Sequence, residues 1–216
     1  MKKLLPLLAF IAWAGFYASP ADAQCIGVGG VNSVPQPGVT CASEPAVNSY
    51  AATSVALVPV AAGATDFFCL GGSATKVVRL QRLRIAGTAT TIVSVPLLIM
   101  KHASLDTGAA SATGTQIPIP YALDSTDLAP TAVTRAWITA NPTITDAAPG
   151  IIGSANLQLN LPAAVSTNVI FDWDNHNFVE AITLRKATEE VCLNLNTTAV
   201  TAGLLYITAI WTEAPQ

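Results

Sequence analysis

A chain of 216 residues with 51% hydrophobic and only 11% charged residues lies far from the roughly 25% charge of an average globular protein, which excludes disorder and argues for extensive burial, part of it between subunits. The formal charge is −3, and lower still once the two N-terminal lysines are removed. With no basic patch and no RNP, zinc-finger or helix-turn-helix pattern, nucleic acid is excluded as a partner.

The N-terminus reads as an export signal. Lys2 and Lys3 form a positive n-region, Leu4–Tyr17 is an apolar h-region, and Ala21-Asp22-Ala23 is a small-x-small cleavage site. Residues 1–23 are therefore expected to be removed, leaving a mature chain that starts at Gln24 in the periplasm or outside the cell. The apolar run is shorter than the ~20 residues of a membrane span and contains Pro6, and no later segment is long and apolar enough, so no membrane contact is expected after cleavage. All four cysteines, Cys25, Cys41, Cys69 and Cys192, lie beyond the cut, and an even count in an exported chain reads as disulfides. Of the three pairings, the favoured one joins Cys25 to Cys41, closing a short N-terminal loop, and Cys69 to Cys192, tying two distant strands. A zinc site is the rival, disfavoured by the lack of a C-x-x-C pair.

Residues 24–48, rich in Gly, Pro, Ser and Val, read as an irregular arm. Residues 49–216 form one domain whose strand signals run at short spacing. Ser54–Val60 is β-rich and is read as a strand; Asp66–Leu70 is a short strand ended by Gly71-Gly72. Val77–Ile85 contains a phase change: Val78 and Leu80 share one parity, Leu83 and Ile85 the other. A strand has period 2, so keeping all four on the core side requires an extra residue, a β-bulge near Gln81-Arg82. Ile92–Met100 is apolar on both faces, and Pro96 demands an edge position or a further bulge. Its second face, Ile92, Leu98 and Met100 with only Ser94 polar, marks an expected subunit interface.

Lys101–Gln116 and Asn141–Ser154 read as loops, and Ile117–Pro120 as extended. Asp124–Pro130 is a loop with room for one helical turn. Thr131–Thr139, Ala155–Leu161, Thr167–Trp173, Glu180–Arg185, Val191–Leu195 and Leu204–Thr212 read as strands. Helical periodicity is absent after the signal segment. The fold class expected from these strands is all-β: an antiparallel β-sandwich or barrel of roughly eight to ten strands.

The run FCLGGSATKVVRLQRLRIAGTATT (Phe68–Thr91), then VPLLIMKHASLDTGAAS, TAVTRAWITANPT, FDWDNHNFVEAITLRKATEEVCLNLN and the closing LLYITAIWTE resembles small jelly-roll structural proteins of tailed phages and prophages. It covers most of Phe67–Glu213 and rests on the order and character of the segments. The resemblance narrows the fold to a jelly-roll-like sandwich and implies a place at a virion surface, decorating a capsid.

Phe171–Asn177 is the densest polar run: Asp172, Asp174 and His176 could hold a cation, while a strand end running into an Asx-rich turn is the plainer reading. No cofactor is expected. His102 and His176 are the only histidines, no G-x-S-x-G, H-E-x-x-H or catalytic-cysteine pattern is present, and Gly27–Gly30 opens no helix, so the chain is not read as an enzyme. Arg79, Arg82, Arg84 and Arg185 read as solvated sheet-face residues rather than a docking stripe. Trp137, Trp173 and Trp211 read as core rather than as sugar-stacking platforms. The function expected is that of a non-catalytic exported subunit that associates with itself, as a homotrimer or larger closed assembly, and coats a phage-like particle or cell surface. The alternative is a secreted carbohydrate-binding or adhesion module whose partner is a glycan.

Overall fold

Eleven strands form two antiparallel sheets in the computed structural model, which describes residues 47–54, 56–60, 63–108, 119–162, 167–173, 180–200 and 203–216. The compact body spans Pro45–Gln216. The expected cleavage site, the arm up to Ala46 and the Cys25–Cys41 pair lie outside the described residues.

The first sheet runs β5 (Pro120–Ala122), β1 (Asn48–Thr53), β11 (Leu204–Pro215), β3 (Lys76–Thr88) and β8 (Asn168–Asp172), with β9 (Ile182–Leu184) also on β3. The second runs β6 (Val133–Ala136), β2 (Asp66–Gly71), β10 (Glu190–Asn194), β4 (Val93–His102) and β7 (Gly150–Leu159). The pairs β1–β11, β2–β10, β3–β8 and β4–β7 are nested one inside the next. One long hairpin rolled over itself produces that order, and it is the topology of a jelly roll.

The core lies between the sheets, where alternate residues of each strand meet. Val78, Leu80, Leu83 and Ile85 of β3 are all buried. They reach the same side because the register with β11 shifts between Ile210 and Trp211, so that Leu80 faces Trp211, Arg82 faces Ile210 and Gln81 is the extra residue. The bulge is thus where the phase change places it. Trp211 stacks on Tyr50, centroids 5.9 Å apart, and the Tyr50 hydroxyl donates to the Leu128 carbonyl at 2.8 Å. On β4, Val95, Leu97 and Ile99 enter the core. Pro96 pairs with Asn156 of β7, whereas β10 begins to pair only at Leu98, so at Pro96 the strand has a partner on one side.

Several segments differ from expectation. Asn48–Thr53, which begins in the segment read as the arm and where no strand is expected, is β1, and Lys101 and His102, read as the start of a loop, end β4. Ser54–Val60 is not a strand: Ala56 adopts φ of 52°, a left-handed backbone that no strand carries through, and Leu57 makes an isolated bridge to Leu205. Conversely, β7 begins at Gly150, inside the segment read as a loop. The Asp124–Pro130 loop holds an Asx turn, the Asp124 carboxylate accepting the Thr126 N–H at 2.8 Å and hydroxyl at 2.7 Å. Among the described residues no helix forms, and none is long and apolar enough to cross a membrane.

Candidate functional site

The site is on the outer face of the second sheet, beneath a cover formed by the chain just beyond β4. Alternation along β10 sends Val191 and Leu193 into the core and turns Glu190, Cys192 and Asn194 outward. Opposite Cys192, on β2, stands Cys69, with a Cα separation of 4.1 Å, and the two form a disulfide. Such a short separation suits a non-hydrogen-bonded pair of antiparallel strands, where side chains approach most closely. Trp137 packs on the disulfide, and the Arg135 guanidinium sits 5.6 Å from the centre of its ring.

A second bulge delivers Asp66 to this face. Leu193 faces Phe68 but Asn194 faces Asp66, so Phe67 is an extra residue. Strict alternation from Phe68 and Leu70 would aim Asp66 into the apolar core; the bulge rotates it outward and keeps Phe67 and Phe68 both buried. His102, the last residue of β4, faces Glu190. Asp106 follows in the cover, whose backbone is tied to a second loop by paired Thr107–Thr143 hydrogen bonds of 3.0 and 2.8 Å, and by the Asp146 carboxylate accepting the Ala103 N–H at 2.7 Å.

The result is a group of ionisable side chains cut off from water: Asp66 is 1% exposed, His102 0%, Asp106 3% and Glu190 0%. Their partners divide them into two sets. Glu190 accepts from the Arg135 guanidinium and the Asp106 N–H, and Arg135 also donates to the Asp106 carbonyl at 3.0 Å. Those contacts fix the backbone of Asp106 from both sides. Asp66 Oδ1 accepts from Asn194 Nδ2 at 2.8 Å. By contrast neither ring nitrogen of His102 has a hydrogen-bond partner among the described residues, Asp66 Oδ2 and the Asp106 carboxyl oxygens have only each other to bond to, and His102 Nε2 stands 3.5 Å from Asp66 Oδ2. Burial, then a hydrogen bond with the Asp66 carboxyl and the charges of Asp66 and Glu190, pushes the Asp106 carboxyl up to about 7, and burial also raises that of Glu190. Glu213 shows how this fold otherwise treats a buried carboxylate: it accepts from the Thr131 N–H and hydroxyl, the Ala132 N–H and the Trp211 indole.

The residues singled out from sequence fare differently. Asp172 does not face a cation site; its Oδ2 accepts from Arg82 Nε at 3.1 Å and from the terminal guanidinium nitrogen at 2.7 Å across the β3–β8 pair. Asp174 and His176 lie outside the described residues. Trp137 and Trp211 are 1% and 0% exposed and so closed to a sugar, and Trp173 is half-buried, packed against the core. Arg82, Arg84 and Arg185 are exposed and Arg79 half-buried on the outer side of the first sheet.

Ile92, Leu98 and Met100 do not make one apolar patch. Their neighbour β7 sets Gln158, Asn156 and Ser154 opposite Ser94, Pro96 and Leu98, and this polar stretch separates exposed Ile92 from half-buried Leu98 and Met100. Exposed apolar side chains also stand on the edge strands, singly on β6 (Val133) and β8 (Ile170) and grouped on β7 and β5. Ile151 (61%) and Ile152 (42%) are on β7, Ile151 opposite Met100. Ile119 (53%), Tyr121 (68%) and Leu123 (59%) alternate through β5 and its flanks. Reading β4 without its partner strand concealed that arrangement.

The chain matches no protein-family model, no curated protein and no solved structure.

Proposed function

We propose that the protein is a non-catalytic, exported structural subunit, a jelly roll that joins with copies of itself into a closed ring and coats a larger particle or cell surface. The observation that carries this reading is the grouping of exposed apolar side chains on two of the edge strands, β5 with Ile119, Tyr121 and Leu123, and β7 with Ile151 and Ile152. Unpaired edge strands with apolar side chains are templates for association. The two edges differ in sequence and in sheet, so pairing one with the other is head-to-tail, and a head-to-tail contact that closes gives a ring rather than a two-fold dimer. The low charge content supports the same reading, since interface cores are depleted in charge. Export is supported by the lysine-led apolar N-terminus and by the Cys69–Cys192 disulfide, a bond that persists in oxidising compartments.

Light scattering on the mature protein is expected to give three or more subunits per particle, with a mass that holds on dilution through the micromolar range. A mass equal to one chain at every concentration overturns the reading.

A further inference from the structure

We propose that Asp66, His102 and Asp106 form a binding site for one divalent transition-metal cation of the zinc class, buried between the second sheet and its covering loop. The site is independent of the assembly described above.

Three observations carry the inference. The donor atoms of these residues and Cys192 Sγ all lie within 4.8 Å of one another, close enough to share one ion. Cys192 is held in the disulfide and offers no thiolate, so the oxidised protein presents two carboxylates and an imidazole. The donors that point into this space have no partner outside the group itself: the His102 ring has none, and Asp66 Oδ2 and the Asp106 carboxyl have only each other, each on a residue at most 3% exposed. Buried polar groups are almost always paired, and so many groups facing one point with no outside partner call for something between them.

Charge supplies the third observation. Asp66, Asp106 and Glu190 gather three carboxyl groups in a region 0–3% exposed, and the Arg135 guanidinium is the one cationic side chain set against them. A divalent cation balances the excess of acidic groups. Buried charge that lacks such compensation is strongly unfavourable.

The surroundings orient the ligands as outer-shell partners do. Asn194 holds Asp66 Oδ1 and so turns Oδ2 toward His102. Glu190 and Arg135 grip the Asp106 main chain and leave its carboxylate free to turn inward. A nitrogen donor beside two oxygens favours zinc, or a similar imidazole-binding ion such as iron or nickel, over magnesium or calcium, which prefer oxygen ligands.

The test uses untagged mature protein with its disulfide intact, stripped with a chelator and titrated with zinc chloride by calorimetry. One equivalent per chain is expected, with a higher melting temperature when bound. The chain has two histidines, which makes the assignment separable. His102→Ala and Asp106→Asn should each abolish the stoichiometric binding, while His176→Ala and Asp172→Asn should leave it intact. Nitrogen-15 NMR of the imidazoles in unmutated protein guards against a variant that fails to fold: the His102 ring resonances should move on zinc addition and those of His176 should not. No stoichiometric binding, binding lost with His176→Ala, or zinc-dependent shifts confined to His176 would each overturn the proposal. Unchanged zinc binding in folded Asp106→Asn would do the same.

Discussion

Deleting Gln81 is expected to leave a folded protein, whereas deleting Arg84 is expected to cost a core side chain. Gln81 is the extra residue that the bulge absorbs, so that Val78 and Leu80 on one side of it, and Leu83 and Ile85 on the other, reach the same core. Without it those four side chains fall in strict alternation, and Leu80 and Arg82 still face Trp211 and Ile210. Deleting Arg84 instead sets Ile85 directly after Leu83 and turns it outward, because a one-residue slip inverts every following side chain. An isoleucine leaving the core forfeits about 1.5–3 kcal/mol, against a typical total of 5–15 kcal/mol. Gln81→Ala is the control: the side chain is only half-buried, so substitution should shift the melting temperature by no more than a few degrees. Calorimetry on all three variants decides the matter. A Gln81 deletion variant that unfolds would mean that β3 needs the extra residue.

The second large effect concerns the Cys69–Cys192 bond, which joins strands 123 residues apart in sequence. Replacing both cysteines with alanine removes a cross-link that restricts the unfolded chain and also leaves Trp137 over a smaller neighbour. The expected loss is about 2–5 kcal/mol. For a domain of this size that corresponds to a fall of roughly 4–20 °C in melting temperature. A double variant within two degrees of the parent would show that sheet pairing alone fixes β2 against β10.

Much of the fold was legible because its strands obey period 2 where one face is buried. Alternation in Leu157 and Leu159, and the broken alternation between Leu80 and Leu83, lead directly to β7 and to the bulge in β3. The errors have physical causes. Ser54–Val60 has the composition of a strand, but a left-handed backbone at Ala56 interrupts it. The start of β7 follows Gly150 and turns Ile151 outward, so no buried face announced it.

The ionisable site was largely hidden, and for a specific reason. Asp66 shares parity with Phe68 and Leu70 in the sequence, and only the bulge at Phe67 brings it to the other face. The conflict itself was a signal: an aspartate in phase with two core residues asks for an extra residue, as the phase change in β3 does. Glu190-Val191-Cys192-Leu193-Asn194 carries a clearer one, since its polar residues alternate with apolar ones and flank a disulfide cysteine. Asp106 could not be placed from sequence, because it sits in a covering loop whose course is set by the Thr107–Thr143 pairing.

Head-to-tail closure is tested most directly by mixing two damaged subunits. Tyr121→Glu spoils the β5 edge and leaves β7 intact; Ile151→Glu does the reverse. Each variant alone should be a folded monomer. A subunit with a sound β7 edge can still meet one with a sound β5 edge, so an equimolar mixture should form a dimer and stop there, as read by sedimentation velocity. Two variants that remain monomeric when mixed, or that each assemble as the parent does, would contradict a ring built from these two edges.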